Sequence, residues 1–599
     1  MKKYLPTGNE QLSLPKLNEE NIGVEDVTFL HMGCKGLIEI RGGESLPLMQ
    51  PFAEVDGQSF PLKNIRWQRL GFWVPAFTCS AGPIELEGSV LAPRGERGFA
   101  FQLRLRNSDA SPHQVCFGLH GCWGSAWHCV NEDKQITGTQ RCHESLWNNS
   151  LIFEMSCGTP LFAFAPMSSD GSCQSAFARE KDGLHYKLSH LYSFEPGQSR
   201  EAVIYWGFGY EEVAAATSAK EMLRQGWQQE LGRTLQWLAQ RSADLKDAKL
   251  TALYNTNLFF CIFFSTGVTL DTEEFVMVTS RSPRYYVSAA YWDRDSLLWS
   301  FPAILQADAG IARKMLLYVF GRQRRNIGVH SRFIDGTVLE PGFELDELMA
   351  PVLALERYVS ATDDRFLLQR PEVMQGIEEI LEKLAEKRHA HIPLYETFLQ
   401  PTDDERVHPY LTYDNVLVWR GLRALSKLYP QYAHLAAEAE KTREAIYSHC
   451  VKTNADGKAY FAWSVDLNGH SDVYDEPPGS LQLLPHLGFC AADDPAYTAT
   501  VQMIRSPQYQ YSFSGCPIAE IGCPHAPHPW LLSIANSLIC GRVEHCTSIL
   551  RRIQMDNLIA CESVDEYSGE CTTGEAFATC DGFLCYALRL ALEGGAHHA

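Results

Sequence analysis

Phe343-Glu344-Leu345-Asp346-Glu347-Leu348-Met349-Ala350-Pro351-Val352-Leu353-Ala354-Leu355 opens with three acids in four residues and continues as an almost unbroken apolar run. An amphipathic surface helix keeps one polar face along its length, and this one, read over 344–361, does not. The stretch 574–593 is likewise apolar or small on most faces. Helices of this kind fit the inner ring of a helical barrel, covered by an outer ring and polar only where the barrel opens. That end is where a pocket forms. The acids themselves have two readings, as caps for the free amides of a helix first turn or as carboxylates aimed into a pocket. On an ideal helix Glu344 and Glu347 share a face, suited to capping or to holding substrate hydroxyls, and Asp346 lies about 200° round from Glu344.

Working outward, about twelve helical stretches follow the connecting helical segment 212–242: 246–266, 293–306, 309–322, 344–361, 372–388, 410–428, 432–450, 479–488, 495–506, 527–540, 542–557 and 574–593. Paired into six hairpins they make an (α/α)6 barrel, although no strong repeat marks the pairing. Before about residue 235 the pattern differs. Phe99-Ala100-Phe101-Gln102-Leu103-Arg104-Leu105-Arg106 alternates with period two, and 36–40, 84–91 and 201–206 are further alternating or β-rich runs, with turn residues between them. Many short strands without intervening helices predict an antiparallel β-sandwich. The expected organisation is a β-sandwich over 1–211, a helical linker over 212–245 and an (α/α)6 barrel over 246–599.

Composition narrows the function. A formal charge of −20 over 599 residues disfavours nucleic acid and anionic membrane surfaces as partners. No apolar run is long enough to span a membrane, and the N-terminal residues lack the apolar segment of a secretion signal. The 19 cysteines are scattered without a Cys-x-x-Cys pair, which reads as reduced thiols in a cytoplasmic protein. Cys516, Cys523, His525 and His528 lie close in sequence, but their spacings match no usual zinc pattern, so neither metal nor cofactor is expected.

A second acidic island, Cys561-Glu562-Ser563-Val564-Asp565-Glu566, precedes the small-residue helix and reads either as a solvated turn or as a second pocket carboxylate. Two separated carboxylates are what glycoside hydrolysis needs, one to protonate the leaving oxygen and one to activate water or attack directly. Trp292-Asp293-Arg294-Asp295-Ser296 places an aromatic face beside alternating charges, and Pro401-Thr402-Asp403-Asp404-Glu405 is an acidic turn. Gly522-Cys523-Pro524-His525 brings an imidazole to a helix start. An oligosaccharide or glycoside is the partner these islands suit.

The islands resemble, in content and in order, the motifs of glycoside hydrolase family 125, metal-independent exo-acting α-mannosidases with an (α/α)6 barrel. Trp292–Ser296 resembles the family's Trp-Leu-Arg-Asp-Ser, and Phe343–Leu348 its Tyr-Glu-Leu-Asp-Ser-Leu. Leu399–Asp404 resembles Phe-Arg-Pro-Ser-Asp-Asp, and Pro478–Gly488 resembles Val-Pro-Ser-Leu-Leu-Ser-Leu-Pro-Tyr-Leu-Gly. Gly522–His525 resembles Gly-Ser-Pro-His, and Cys561-Glu562-Ser563 resembles His-Glu-Ser. The resemblance covers about residues 290–585. It implies Asp346 as general acid and Glu562 as general base of an inverting mechanism, with Arg294, Asp295, Asp403, Asp404 and His525 lining the pocket beside Trp292, Glu344 and Glu347.

The chain departs from the family in three places. It carries a long β-rich N-terminal region, Cys561 stands where the family has His, and the family's Asp-Asp-Ala-Asn stretch appears as Tyr474-Asp475-Glu476-Pro477-Pro478. A sandwich before such a barrel is more like glucoamylases, disaccharide phosphorylases and related α-glucosidases. An α-glucosidase or debranching-type enzyme, a phosphorylase and a non-catalytic glycan-binding protein therefore stand as alternatives.

Overall fold

The computed structural model describes residues 3–593; the ends of the expected domains, residues 1–2 and 594–599, lie outside them. The chain divides into two compact units. The first comprises Met1–Ser242, Thr266–Val276 and Ser280–Ala289, and the second Ala243–Ser265, Met277–Thr279 and Ala290–Ala599.

The first unit is built from three antiparallel sheets of six, eight and five strands. In the eight-stranded sheet, Gly98–Asn107 lies between Ser199–Gly209 and Ile84–Leu91, with Phe101 opposite both Ile204 and Val90. The alternation read from the sequence is realised here. Phe101, Leu103 and Leu105 are buried, while Arg104 and Arg106 are exposed and face Glu87 and Glu85 across the ladder. One apolar cluster draws on all three sheets, with Phe29 against Phe162 at 5.3 Å, Phe153 stacked on Phe164 at 4.7 Å, and Trp123 edge-on to Phe164 at 5.2 Å between ring centroids.

Segment 212–242 forms two helices, α1 (Glu212–Gln225) and α2 (Trp227–Ala239), separated by Gly226 at φ 84°. Helix α1 lies on the eight-stranded sheet. It comes so close that a Cβ on Gly207 would meet the Ala215 carbonyl oxygen at 2.1 Å, so only glycine fits there.

The second unit is helical. Its helices are α3 (Ala248–Ser265), α4 (Phe301–Ala307), α5 (Ala309–Gly321), α6 (Leu345–Thr362), α7 (Pro371–Glu386), α8 (Thr412–Leu428), α9 (Leu435–His449), α10 (Pro495–Ile504), α11 (Leu531–Ile539), α12 (Val543–Leu550) and α13 (Ala578–Leu592). Two expectations change. Residues 479–488 hold only 3-10 turns, at Pro477–Gly479 and Leu481–Leu483, because Pro477, Pro478 and Pro485 each lack the amide a continuous helix needs. The expected 293–306 helix begins as a π-helical stretch, Arg294–Ser300, before α4. Helix α13 packs against that stretch, and a Cβ on Gly582 would meet the Ser300 Cα at 2.7 Å. Helices α6 and α13 are buried over most of their length, as their all-round apolarity predicts.

Candidate active site

Glu344 stands just outside α6 in extended conformation, at φ −127° and ψ 130°. The 100°-per-residue argument therefore does not reach it, and the three acids sort differently from the ideal-helix expectation. Glu344 and Asp346 converge on one atom: Arg294 Nη1 donates to Glu344 Oε2 at 2.8 Å and to Asp346 Oδ2 at 3.0 Å. Glu347 turns elsewhere, accepting from the backbone amides of Asp293 and of Arg294, the latter at 3.0 Å. Capping does occur, but Glu347 caps the π-helical stretch rather than its own helix. Asp346 Oδ1 accepts from the Glu347 amide at 2.8 Å.

Arg294 also donates from Nη2 to Asp403 Oδ1. This guanidinium, 1% exposed, thus binds three carboxylates from two separate stretches of chain through its two terminal nitrogens. Asp403 sits in a tight turn at φ 67°, a left-handed conformation that aspartate tolerates better than most residues.

The sequence offered no reason to single out His330, yet it completes the cluster. Its Nδ1 lies 3.0 Å from Glu344 Oε1 and 3.5 Å from Asp403 Oδ1, its Nε2 3.3 Å from Glu340 Oε2, and its ring stands edge-on to Trp292 at 5.7 Å. Burial opposes its charge, but the bonds to Glu340 and Glu344 and the nearby Asp403 outweigh that and push it up to about 10. Val329-His330-Ser331-Arg332 is a short, mostly polar run in the sequence, and in the fold it is a strand paired with the one leading into Phe343. His330, Glu344 and Asp403 have ligand atoms close enough to share a metal ion, but Arg294 already binds both carboxylates.

A second group gathers around Asp404 and Glu562. His525 Nδ1 lies 3.6 Å from Asp404 Oδ2. That contact pushes His525 up to about 9 against the cost of burial, with the charges of Glu562 and Asp403 adding to the shift, and it lowers Asp404 below the usual carboxylate range. Glu562, 2% exposed, accepts from Thr573 Oγ1 at 3.2 Å in the hairpin of Ser563–Val564 and Cys571–Thr573. The fields at His525 and at Cys580 link the remaining islands, since Glu562 and Asp403 both act on the imidazole, and Glu562 and Asp295 both act on the thiol.

Asp295 points away from the Arg294 bonds, to Thr579 Oγ1 on α13 at 2.8 Å, and burial pushes it up to about 7. Glu476, in the stretch that departs from the family pattern, is fully buried and accepts from the Thr402 amide and hydroxyl, each at 2.9 Å, bracing the turn that presents Asp403 and Asp404. Burial pushes Glu476 up to about 8. Asp414 in the first turn of α8 is buried, and burial together with the Asp346 and Glu344 charges drives it well above the carboxylate range.

The Cys516, Cys523, His525 and His528 group is dispersed into separate contacts. His525 takes Asp404, His528 Nδ1 lies 2.9 Å from Glu566 Oε2, Cys516 meets Tyr567, and Cys523 is buried. The cysteines are free thiols, and among the described residues no helix is long and apolar enough to cross a membrane.

With this geometry in view, residues 382–588 match the family described as metal-independent alpha-mannosidase (GH125). The Meiotically up-regulated gene 157 protein of Schizosaccharomyces pombe is 29% identical over 145 residues, 23% of this chain and 28% of that protein. The chain therefore aligns with little more than a quarter of that relative's length. A Streptococcus pneumoniae metal-independent alpha mannosidase, solved in a non-productive complex with alpha-1,6-mannobiose, superposes with a TM-score of 0.51 at 18% identity, covering 60% of this chain and 98% of its own. A bacterial glucoamylase complexed with acarbose superposes with a TM-score of 0.63 at 12% identity over 99% of this chain and 95% of its own. A putative kojibiose phosphorylase from the human microbiome gives 0.61 at 9% identity over 98% of this chain and 86% of its own. The fold over nearly the whole chain is thus similar to that of the glucoamylase and the putative kojibiose phosphorylase, and residues 382–588 resemble the GH125 metal-independent alpha-mannosidases.

Proposed function

We propose that this protein is an exo-acting glycoside hydrolase that releases a terminal sugar from an α-linked oligosaccharide, with α-mannosides as its substrate class. Its helical unit then forms an (α/α)6 barrel. The observation that carries the reading is the bonding of Arg294 to Glu344, Asp346 and Asp403, carboxylates of two other family-like islands. In this mechanism Asp346 gives its proton to the glycosidic oxygen as the bond to the anomeric carbon breaks. Glu562 takes a proton from a water that attacks that carbon from the opposite face, so configuration inverts. Trp292, Arg294, Asp403, Asp404 and His525 bind the terminal sugar, and no metal takes part.

The test is a screen of α-linked aryl glycosides and disaccharides with the released anomer followed by NMR, repeated with Asp346→Asn and Glu562→Gln. Inversion gives the β-anomer first from an α-linkage, and undiminished turnover in either variant would sink the assignment. Similarity over nearly the whole chain to a glucoamylase and a putative kojibiose phosphorylase favours a second reading, glucoside cleavage by water or by phosphate. Turnover of α-glucosides but not α-mannosides would establish it, and dependence on added phosphate would separate phosphorolysis from hydrolysis.

A further inference from the structure

Among the described residues, five clusters of His, Cys, Asp and Glu bring their ligand atoms within 4.8 Å of one another. Cations already hold the carboxylates of two of them. Lys16 and Arg41 pair with Glu39, and Arg41 with Asp133, beside Cys129, while Arg294 pairs with Glu344 and Asp403 beside His330. His143–Glu154–Glu212 and His528–Asp565–Glu566 each offer one imidazole and two half-buried carboxylates, without sulfur. The fifth, in the sheet unit, joins a thiol, a carboxylate and an imidazole from Cys122, Asp182 and His185. Asp182 pairs with His185, and among the described residues no lysine or arginine forms an ion pair with it.

The five-stranded sheet brings the three side chains together. Cys122 and His185 stand directly opposite each other across the antiparallel pair of His113–Trp123 and Gly183–Phe194, so both leave the same face. Asp182 lies in the turn that enters the second of these strands, and its Oδ1 is 2.7 Å from His185 Nε2. Ser45 donates to the other oxygen, Oδ2, from its hydroxyl at 2.7 Å and its amide at 3.1 Å. Such bonds fix the direction of a ligating carboxylate. Two glycines leave the sulfur its space. A Cβ on Gly43 would stand 2.6 Å from Cys122 Sγ and 2.8 Å from Asp182 Oδ2, and one on Gly183 would stand 2.7 Å from the same sulfur. Cys122 is buried while Asp182 and His185 are half-buried, so the cluster is reached from the turn. No sequence spacing marks it, because 60 residues separate Cys122 from Asp182.

We propose that Cys122, Asp182 and His185 form a structural binding site for a divalent transition metal of the zinc type. Glu180, whose Oε2 lies 3.8 Å from His185 Nε2 and is largely exposed, is placed to close the fourth position. Sulfur and imidazole together favour such an ion over magnesium or calcium, which take oxygen ligands. Ligands about 2.0–2.3 Å from a tetrahedral ion stand about 3.3–3.8 Å apart. The three atoms therefore need shifts on the order of 1 Å to close on the metal. The ion replaces the hydrogen bond between Asp182 and His185, and the Cys122 thiol releases its proton to water as the metal–sulfur bond forms. Bound there, it ties the turn at 181–182 to the strand His113–Trp123. Metal binding at this site is independent of glycoside cleavage.

The test strips the full chain with EDTA and titrates it with cobalt(II), then with zinc, which binds such sites more tightly. The first equivalent of cobalt should produce a thiolate-to-cobalt charge-transfer band in the near ultraviolet that zinc abolishes. Saturating zinc should raise the melting temperature of the parent by about 2 °C or more. Cys122→Ser should lose both the band and the shift, and His185→Gln should weaken cobalt binding by about tenfold or more. No band in the parent overturns the proposal. A band and shift of equal size in the parent, Cys122→Ser and His185→Gln also overturns it, because the metal is then held adventitiously by other thiols or imidazoles. If Cys122→Ser does not fold, His185→Gln, at a half-buried position, decides alone, and cobalt affinity equal to that of the parent rejects the site.

Discussion

Two buried charge networks, one in each unit, use the same residue types to opposite ends. In the sheet unit Lys16 Nζ bridges Asp26 at 2.8 Å and Glu39 at 2.9 Å, and Arg41 holds the other oxygen of Glu39 and reaches Asp133 at 2.5 Å. Two cations serve two buried acids and one exposed acid, Lys16 shared by Asp26 and Glu39 and Arg41 by Glu39 and Asp133. Burial lifts Asp26, while Lys16 and Arg41 bring Glu39 below the usual range despite burial. In the helical unit one arginine and one histidine face Glu344, Asp346 and Asp403, with Asp295, Asp414 and Glu476 buried nearby. Acid outnumbers base there. The first network matches its two buried acids with two cations and serves the fold. The second keeps a surplus, which folding alone does not reward and which proton transfer requires.

The largest expected effect separates them by readout. Asp346→Asn and Glu562→Gln should each lower turnover by about 10³-fold or more, with the melting temperature unchanged or raised, because each removes one acid from an acid-rich cluster. Asp26→Asn should do the reverse, lowering the melting temperature and leaving turnover per folded molecule intact. A melting temperature several degrees lower for Asp346→Asn would erase the distinction.

Next in size is the removal of each bridging cation. Lys16→Met strands Asp26 and deprives Glu39 of one of its two cations, a loss of about 3–5 kcal/mol in urea unfolding. Arg294→Met leaves Glu344, Asp346 and Asp403 without their guanidinium and should cost a similar amount, but with turnover lost as well. Equal effects on turnover from both would break the comparison.

These networks were unequally legible in the sequence. Period-two alternation at Phe101–Arg106 located the strand and its buried face, because side chains on a strand alternate between faces by geometry. All-round apolarity located α6 and α13. The islands at Arg294, Asp346, Asp403, His525 and Glu562 were visible as polar residues in an ordered family-like series. His330, Asp414 and Glu476 were not, since each is a single polar residue whose meaning comes from a neighbour far along the chain. Glu344 shows the limit of periodicity: one residue outside the helix, its direction is set by extended backbone and not by 100° per residue. The π-helical start at Arg294 was also hidden, because it depends on α13 packing against it through Gly582.

A smaller effect tests the charge on His330. Its pKa in the fold is about 10 against an ordinary 6.5. The stability it contributes is therefore complete below the ordinary value and lost as pH rises through the folded one. The melting-temperature gap between the parent and His330→Asn should be widest at about pH 6 and close by about pH 10. A gap that widens over that range would mean that His330 is neutral in the fold and that the surplus of acid around Arg294 is larger still.

The smallest effect is expected where charge is exposed. Arg106 and Glu85 face each other across the eight-stranded sheet with Nη1 and Oε2 3.8 Å apart, and both side chains are more than half exposed. Water screens the pair, and ordering two long side chains offsets most of what attraction remains. Glu85→Gln should therefore change unfolding free energy by less than about 1 kcal/mol, and less at high salt. The same change of acid to amide is then measured in three settings: an exposed rung, a balanced buried network at Asp26 and an acid-rich one at Asp346. If Glu85→Gln costs as much as Asp26→Asn, burial is not what gives the sheet network its strength, and the contrast with the acid-rich cluster must rest on charge count alone.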